Sequence, residues 1–387
     1  LLDFDDLDPD ARELLACIND AGSSALKKYT AALDTHVEGR VHDTFLWHGA
    51  QTGRFAGKNL QPHNMRRDTF KADEANALIK AIIAGGAVDQ PATTMARLLR
   101  SMIMSDDGLY WIDWSSIEGR VAPWITDSPE GESKLGKYRQ KDNGGEFDVY
   151  ELTASEMFGV SLDEVDADLR QSGKIAELSL QFGGSHNALI GMARNYGTTF
   201  DEITARDIVV KWRRANPWAQ QIWADYDRAI EAAVQAPGTA FMAGRVKFYS
   251  DGANFLWVEL PSGRFLSYPK PKWEPYTTPW GAERVGPTFQ ISLKPAAGEP
   301  PMRNHLRGAL VFQNTVQGVA ACLLRGALME ADAEELEIIA TIHDEILGIG
   351  PYADGEILNG IMLQRPWWSD GLPLATGGVE YGTRWGK

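Results

Sequence analysis

A single carboxylate lies where an apolar stretch of the chain gives way to small polar residues. Residues 110–112 are Tyr-Trp-Ile, Asp113 follows, and residues 114–120 read Trp-Ser-Ser-Ile-Glu-Gly-Arg. Aromatic and β-branched residues favour a strand, and serines favour the start of a helix. A strand that delivers an acid at its end and turns into a helix can present a metal ligand, although a solvated aspartate at a turn has the same local signature.

A second acidic site is predicted near the end of the chain. Residues 338–342 and 346–349 are mostly apolar, and His343, Asp344 and Glu345 separate them. Two apolar arms around a short polar tip predict a β-hairpin with these three residues at its turn. Asp113 and Asp344 would then both lie at strand ends, where their oxygens can bind hard cations together.

Between the two acids, four side chains recur at intervals of four residues: Arg170, Lys174, Leu178 and Phe182. Residues spaced in this way share one face of a helix. Two cations followed by two large apolar side chains suit a bound triphosphate and its base. The same stripe also fits a helix with a solvated start and a buried end.

Taken in order, these stretches resemble the polymerase module of family A DNA polymerases, the family of bacterial DNA polymerase I and many phage replicases. The matching segments, with the family motif in parentheses, are 51–61 (TGR…NLQ), 113–120 (DYSQIELR), 170–183 (RxxxKxxxFxxxYG), 317–321 (QGTAA) and 343–345 (HDE). The resemblance covers nearly the whole chain from about residue 40. The Gln-Pro-x-Asn element and the Leu-Pro-Ser-Gly-Arg at 260–264 look most like the phage branch.

The resemblance implies a DNA-directed DNA polymerase of phage or bacterial replication. Such an enzyme transfers a nucleotide from a deoxynucleoside triphosphate to a primer 3′-hydroxyl and releases pyrophosphate. Two Mg²⁺ ions, for which Mn²⁺ can substitute, are expected at Asp113, Asp344 and the backbone carbonyl of Trp114. Glu345 is expected to be a weak ligand or to act from behind the metals, and Lys174 to protonate the leaving group.

The resemblance also implies binding roles. Residues expected to bind the nucleotide are Arg170, Lys174, Leu178, Phe182, Glu118, Tyr150 and Ser116. Residues expected to contact primer-template DNA are Arg54, Gln61, Asn64, Arg66, Arg100, Gln313, Gln317 and His343. Arg54 can donate to minor-groove acceptors that all base pairs share, which checks the shape of a pair without reading its sequence.

Three positions depart from the family pattern. Tyr150 stands where the family has a His in its Asp-Ile-His element, so one hydrogen bond to the triphosphate is expected to change partner. Cys322 stands where an Asp follows QGTAA, and Gln313 where the family often has Asn. None of these departures touches the two expected metal ligands.

The expected fold is α+β, a right-hand polymerase fold in which an antiparallel palm sheet carries both aspartates and a mostly helical fingers subdomain is inserted between them. The expected divisions are a thumb remnant and palm junction at 1–45, palm at 46–121 and 239–387, and fingers at 122–238. Only about 50 residues precede the TGR segment. Most of a thumb and any exonuclease are therefore expected upstream in a longer chain or as separate exonuclease and replication proteins.

Local patterns predict the elements that position these residues. Helices are predicted at 9–34, 72–84, 91–100, 116–126, 148–158, 170–182, 186–235, 308–331 and 353–362. Strands are predicted at 36–48 and within 239–291, where three apolar runs separated by turn residues indicate a β-meander. Residues 130–147, rich in glycine and charge, are predicted to form a loop.

Composition limits the class of protein. The chain has 387 residues, 44% of them apolar, which suits a folded globular protein. No apolar run reaches the roughly 18 residues of a membrane span, and there is no signal peptide. Its two cysteines, Cys17 and Cys322, form no metal or disulfide pattern. The expected location is therefore a reducing cytoplasm, bacterial or that of the host if the protein is phage-encoded.

The net charge of −15 argues by itself against a nucleic-acid partner. Charge is unevenly distributed, however: residues 54–104 contain eight Lys and Arg against four Asp and Glu. This basic stretch is compatible with a salt-sensitive phosphate track on an acidic body and, equally, with an ordinary solvated face.

Two alternatives remain open from the sequence. A single-subunit RNA polymerase shares the palm and the Arg-x-x-x-Lys helix, but Glu118 would crowd a ribose 2′-hydroxyl. A non-catalytic nucleic-acid-binding fragment is the other alternative, and the presence of both aspartates, Arg170 and Lys174 argues against it. Primer extension with each class of nucleotide separates the three possibilities.

Overall fold

A computed structural model describes residues 25–278, 281–291 and 301–386. The chain divides into two compact units. The first unit comprises, among these residues, 25–114, 327–362 and 376–386, and the second comprises 115–326 and 363–375. Both combine helices with antiparallel sheets, in agreement with the predicted α+β class. The division into thumb remnant, palm and fingers stays a prediction.

The elements are as follows in chain order. The α-helices are α1 (Lys27–Thr35), α2 (Ala72–Ile83), α3 (Pro91–Leu98), α4 (Ile117–Ile125), α5 (Pro129–Asp142), α6 (Val149–Phe158), α7 (Ala167–Leu180), α8 (His186–Asn195), α9 (Glu202–Ala215), α10 (Pro217–Gln235), α11 (Gly308–Ala333) and α12 (Tyr352–Leu363). The strands are β1 (His36–Val37), β2 (Arg40–Val41), β3 (Phe45–Leu46), β4 (Ala56–Gly57), β5 (Met104–Asp113), β6 (Ala240–Ala243), β7 (Val246–Ser250), β8 (Phe255–Glu259), β9 (Phe265–Pro269), β10 (Lys272–Thr277), β11 (Glu283–Gln290), β12 (Arg303–His305), β13 (Glu337–Ile342), β14 (Glu345–Ile349) and β15 (Glu380–Arg384).

The first unit is built on a four-stranded antiparallel sheet in the order β13-β14-β5-β15. β5 lies between two partners, and residues 108–112 are buried, which explains their apolar run. On one face, Leu109 and Trp111 pack with Leu347 and Trp385 in a hydrophobic core. Across the sheet, Tyr110 lies so close to Gly348 that a Cβ there would approach the ring to 2.3 Å, so only glycine fits.

The second unit contains helices α4–α10, most of α11, and two antiparallel sheets. One sheet, in the order β6-β7-β8-β9, is the meander that the sequence predicts. Tyr226 of α10 packs edge-on against Phe248 of β7 and Phe312 of α11, which joins helices and sheet in a common core. A second, three-stranded sheet has the order β10-β11-β12.

The prediction of one strand over 36–48 is wrong. β1 pairs with β2 in a short hairpin, and β3 pairs with β4. Glu38, Gly39 and Asp43 have positive φ and reverse the chain between these pieces. Glycine and aspartate tolerate this conformation, so the chain turns at these residues and does not form the single strand that the alternation of apolar side chains predicted.

The prediction of a loop over 130–147 is also wrong, because α5 occupies most of that range. Ser128 caps the helix by accepting a hydrogen bond from the Gly131 N–H at 3.1 Å, and Pro129 fills the first position. A Cβ at Gly131 would lie 2.1 Å from Thr126 Oγ1, so this glycine permits close packing instead of ending a helix.

The remaining predicted helices are confirmed with small changes of boundary. Of the predicted helix 9–34, residues 9–24 lie outside the described part of the chain, and α1 accounts for the rest. α7 ends at Leu180, so Phe182 follows the helix instead of belonging to it. In the described residues no helix is long and apolar enough to cross a membrane.

Candidate functional site

Asp113 and Asp344 come from neighbouring strands of the first unit. Asp113 is the last residue of β5 and pairs in register with Glu345, the first residue of β14. Asp344 is the second residue of the two-residue turn between β13 and β14 and immediately precedes Glu345. The predicted hairpin, and the position of the two acids at adjacent strand ends, are therefore confirmed.

The backbone at Asp113 shows which way the Trp114 carbonyl points. The Gly377 N–H donates to the Asp113 carbonyl at 3.0 Å, on the side of β5 away from β14. Backbone groups of successive strand residues point to opposite edges, so the Trp114 carbonyl points toward the β14 side. Asp113 and Glu345 are consequently a non-hydrogen-bonded pair, the kind in which opposing side chains are closest.

Glu345 faces the interior of the first unit. Its side chain is 3% exposed and accepts a hydrogen bond from Trp385 Nε1 at 3.2 Å. The Arg100 guanidinium lies 3.9 Å from Glu345 and 4.2 Å from the Trp385 ring centre. Burial lowers the pKa of Arg100, and the charges of Glu345 and Asp113 oppose that shift. Arg100 is buried here, so it holds Glu345 in place without presenting a surface to DNA.

The donors at this strand end are all oxygens: the Asp113 and Asp344 carboxylates and the Trp114 carbonyl. In the described part of the chain, no cluster of three or more His, Cys, Asp or Glu side chains is arranged to hold a metal ion. Mg²⁺ is usually bound by one or two carboxylates together with water and substrate phosphates, not by a cage of protein ligands. The residues present fit this ion.

Basic residues surround the tip of the hairpin. His343 has a φ of 59° and packs edge-to-face on His63, with 5.1 Å between ring centres. Burial lowers the pKa of His343, and the charges of Arg54 and Arg67 lower it further. Burial, His343 and Arg54 together lower the pKa of His63 to about 4. Sequence reasoning assigned no role to His63 or Arg67, although the Arg66-Arg67 dipeptide belongs to the basic stretch at 54–104.

The polar loop around residue 61 is fixed to α1. Lys28 is buried and donates to the carbonyls of Leu60 at 2.9 Å and Gln61 at 3.2 Å. Gln61 has a φ of 48°, and its side chain accepts from Asn64 Nδ2 at 3.0 Å. Arg66 is exposed and forms a two-point ion pair with Asp68. An exposed pair of this kind is weak enough to exchange for a phosphate.

In the second unit, Arg170 lies on the first half of α7 beside the start of α6. Its Nη2 is 2.5 Å from Oδ2 of Asp148, the N-cap of α6. Burial alone would raise the pKa of Asp148, but hydrogen bonds from the Glu151 N–H and from Arg170 lower it overall. The guanidinium also lies 5.6 Å from the ring centre of Tyr150, whose hydroxyl is hydrogen-bonded to Ser116. The motif residues Arg170, Tyr150 and Ser116 therefore form one connected group.

The stripe on α7 is confirmed as a helix face. Arg170, Lys174 and Leu178 are each partly exposed, whereas residues 175–177 and 180 are buried. Lys174 Nζ lies 4.7 Å from the ring centre of Tyr196. Phe182 lies beyond the helix end, with its ring 6.1 Å from that of Phe312. The partial exposure of Leu178 favours a ligand-facing position over a core position.

A buried polar cluster centred on Glu177 of α7 was missed by sequence reasoning. Glu177 Oε1 accepts from Lys134 Nζ at 2.6 Å, Thr153 Oγ1 at 2.8 Å and Trp212 Nε1 at 3.2 Å. The side chains of Lys134 and Glu177 are 3% and 7% exposed. Burial lowers the pKa of Lys134, and Glu177 opposes the shift. These hydrogen bonds connect α7 to α5, α6 and α9. In the sequence, the cluster is indicated only by a charged residue, Glu177, between the apolar residues Ala176 and Leu178.

Arg120 anchors the segment that follows Asp113. It is buried, donates to the Ser115 carbonyl at 2.7 Å, and forms a two-point ion pair with Asp142 of α5. Ser116 has a φ of 53° and precedes Glu118, which lies partly exposed in the first turn of α4. Sequence reasoning gave Arg120 no role, because its partner Asp142 lies on α5, a segment that was predicted to be a loop.

Gln313 and Gln317 lie one turn apart on α11 and are both partly exposed. On the same helix, Cys322 Sγ accepts from Arg264 Nε and Ser262 Oγ, both at 3.1 Å. Arg264 also donates to the Gly318 carbonyl at 2.7 Å. Cys322 thus contacts the Leu-Pro-Ser-Gly-Arg segment at the position where the family has a carboxylate.

Known proteins resemble this chain in sequence and in structure. The family model "DNA polymerase family A" matches residues 18–212. A DNA polymerase of Bacillus phage SP02 is 30% identical over 389 residues, which cover 96% of this chain and 57% of the phage protein. DNA polymerase I of Caldicellulosiruptor bescii is 22% identical over 357 residues, which cover 87% of this chain and 32% of that protein.

Among solved structures, the POL domain of Pol1 from M. smegmatis, in complex with DNA primer-template and dNTP, has a TM-score of 0.56 at 17% identity. The similarity covers 98% of this chain and 56% of that one. The chain thus spans between 32% and 57% of the length of these relatives. The expected polymerase fold is confirmed by this similarity. Because the family model matches half of its residues, the chain belongs to DNA polymerase family A.

Proposed function

We propose that this chain carries out template-directed addition of deoxynucleotides to a primer 3′-hydroxyl. The observation that carries the proposal is the pairing of Asp113 with Glu345, which brings Asp113 beside Asp344 at one sheet end. Family membership and the primer-template and dNTP named for the solved relative support it. The phage and bacterial origin of the two sequence relatives supports a role in phage or bacterial DNA replication.

Asp113, Asp344 and the Trp114 carbonyl would hold two Mg²⁺ ions, or Mn²⁺ in their place. Bound there, these ions acidify the 3′-hydroxyl and stabilise charge on the triphosphate. Glu345 does not need to ligate them, because Arg100 and Trp385 already occupy its carboxylate. Its buried charge keeps Arg100 in place beneath Asp113.

Arg170 and Lys174 bind the triphosphate in this proposal. Arg170 already grips a carboxylate, Asp148, and a phosphate can replace that partner with similar geometry. Lys174 would give a proton to the leaving pyrophosphate. Leu178 and Phe182 cover the base, and Tyr150, Ser116 and Glu118 border the sugar and phosphates.

The DNA contacts proposed are Arg54, Gln61, Asn64, Arg66 and His343 in the first unit, and Gln313 and Gln317 in the second. Arg100 acts indirectly, through Glu345. Contacts to backbone and minor groove suit an enzyme whose sequence information comes from the template. Exonuclease and replication proteins are further proposed partners, as the family resemblance implies.

The test is primer extension by the purified chain with Mg²⁺ and either deoxynucleotides or ribonucleotides. We expect extension with deoxynucleotides in the order dictated by the template. Preferential use of ribonucleotides would indicate an RNA polymerase instead. DNA binding without extension under either condition would indicate a non-catalytic fragment.

Replacement of Glu118 by alanine is expected to relax selection against ribonucleotides. A carboxylate in the first turn of α4 would exclude a 2′-hydroxyl by contact, which is discrimination through an unfavourable term. A steric misfit of about one methylene group changes the ratio of kcat/KM for two substrates by roughly 10- to 200-fold. We expect the ratio of kcat/KM for deoxynucleotides over ribonucleotides to fall by about that factor.

Glu118→Gln is the matched control because glutamine keeps the volume and removes the charge. It should retain most of the selectivity if exclusion is steric. An unchanged ratio in Glu118→Ala would place nucleotide selection at another residue.

Enlarging Leu178 to phenylalanine is expected to improve nucleotide binding. Leu178 is partly exposed, so a ring has room there and can stack on a base. Base–aromatic stacking contributes about 1–3 kcal/mol, of which leucine already recovers part by apolar contact. We expect the KM for deoxynucleotides to fall several-fold, and Leu178→Tyr also to improve the use of dideoxynucleotides.

Thermal melting of both variants distinguishes this from overpacking of a core position. A large drop in melting temperature, with no change in selectivity between dideoxy- and deoxynucleotides, would show that Leu178 packs inward.

A further inference from the structure

The sheet β10-β11-β12 carries positive charge on an acidic protein. Residues 270–307 contain six Lys and Arg, three Glu and no Asp, whereas the whole chain has a net charge of −15. Register places Lys272, Arg284 and Arg303 on the same face of this sheet, together with one acid, Glu274. This face borders a cavity of about 960 Å³ in the second unit, with Arg307 on its rim.

Two aromatic rings stand together on that face. Tyr276 of β10 and His305 of β12 stack with ring centres 3.8 Å apart and an angle of 13° between their planes. They reach each other across the central strand because Gly286 lies beneath them: a Cβ there would come within 3.2 Å of Tyr276 and 3.5 Å of His305. Both rings are only partly buried and line the cavity. Flat rings at a cavity wall are the form that unpaired bases stack on.

The acid on this face is already neutralised. Glu274 accepts from Arg303 and from Thr288, and Arg303 also donates to Thr288 Oγ1 at 2.8 Å. Arg284, by contrast, is exposed and makes no ion pair with any described residue. Arg307 is exposed as well, and the Asp227 carboxylate, which lines the same cavity and interacts electrostatically with Arg307, accepts from the Gly308 N–H. The face therefore offers two guanidinium groups beside a pair of stacked rings.

We propose that this face binds single-stranded DNA, with bases stacked on Tyr276 and His305 and phosphates paired with Arg284 and Arg307. Stacking rings combined with cations that follow a backbone are how single strands are bound without sequence preference. Two exposed arginines on an acidic chain favour a polyanion over a protein partner. The proposal rests on the proposed polymerase function, since the template ahead of a primer end is unpaired.

The test uses the full chain and a fluorescent oligo-dT of about 12 nucleotides, within the range of single-strand site sizes. Arg284→Ala/Arg307→Ala should weaken binding and reduce the slope of log K against log salt by about 0.7 for each lost phosphate contact. Tyr276→Ala should weaken binding about fivefold or more, and Tyr276→Phe should restore it because it keeps the ring. Arg206→Ala/Lys211→Ala is the control, since it removes two cations from α9 of the same unit, one exposed and one partly exposed.

Tyr276→Ala uncovers Gly286, so its melting temperature is measured alongside. Arg284→Ala/Arg307→Ala removes only exposed side chains, so its DNA affinity still tests the proposal if Tyr276→Ala unfolds. Wild-type affinity and salt slope in Arg284→Ala/Arg307→Ala, or equal losses in the α9 control, would overturn the proposal.

Two further DNA substrates identify the source of the strand. One carries a long 5′ template overhang, and the other a short overhang with a non-template flap. If the face holds the template, the arginine variant loses affinity for the first and extends primers on short overhangs at the wild-type rate. A loss confined to the flap would assign the face to a displaced strand. Failure of the polymerase proposal would show as absent extension by the wild type, which oligo-dT binding does not require.

Discussion

Asp113→Ala and Asp344→Ala are each expected to reduce primer extension by about a thousandfold or more while primer-template binding survives. Both carboxylates lie at the end of the β5–β14 pair, beside the Trp114 carbonyl. Charge stabilisation by metal ions is worth several kcal/mol, and each 1.4 kcal/mol changes a rate about tenfold. Single-turnover extension and binding of a labelled primer-template give the two readings.

Binding of Mn²⁺, followed by electron paramagnetic resonance, gives a reading independent of catalysis and should weaken in both variants. Glu380→Ala is the matched control, because Glu380 is an exposed acid on β15 of the same sheet. Glu345→Ala should affect the rate less, since its carboxylate faces Arg100 and Trp385. Extension within tenfold of wild type in either aspartate variant would remove that residue from the metal site.

Glu177→Ala is expected to lower the free energy of unfolding by about 3–5 kcal/mol, because it leaves the Lys134 ammonium buried without its partner. Thr153 and Trp212 would lose their acceptor as well. Urea denaturation monitored by circular dichroism measures the change. At a stability typical of natural domains, such a loss is a large fraction of the total.

Two controls separate the buried charge from the contact itself. Lys134→Met/Glu177→Leu replaces the pair with apolar residues of similar volume and should recover most of the lost stability. Lys137→Ala/Glu156→Ala removes a more exposed ion pair that joins α5 to α6, two of the helices that the cluster also contacts, and should cost only about 0–1 kcal/mol. If Glu177→Ala were no more destabilising than this exposed pair, Glu177 would not be the centre of a buried network.

The Lys134–Glu177 pair also bears on nucleotide binding. Glu177 precedes Leu178 on α7, and its three hydrogen bonds fix the rotation that leaves Lys174 and Leu178 on the partly exposed side. The apolar double variant can therefore be stable and still bind nucleotides more weakly, because packing without directional bonds specifies a helix rotation less strictly. Its KM for deoxynucleotides, measured beside its stability, reports this second role.

The sequence alone determined the parts of the site that depend on short-range periodicity. Arg170, Lys174 and Leu178 share a helix face because four residues make about one turn, whatever lies around them. Asp113 follows an apolar run whose aromatic and β-branched residues favour a buried strand, and the His343-Asp344 tip is flanked by two apolar arms that pair locally. Neighbours in the chain contain the information for each of these features.

Only the tertiary structure decided which polar groups are buried and what they contact. Lys134 and Glu177 are 43 positions apart, and Arg100 meets Glu345 and Trp385 across still longer separations. Residues 129–142 contain glycine and charge in a pattern that a loop also shows, yet they form α5 because Lys134 and Tyr138 are buried within the second unit. A charged or small residue carries no local sign of the partner that neutralises or covers it, since that partner is brought near only by folding.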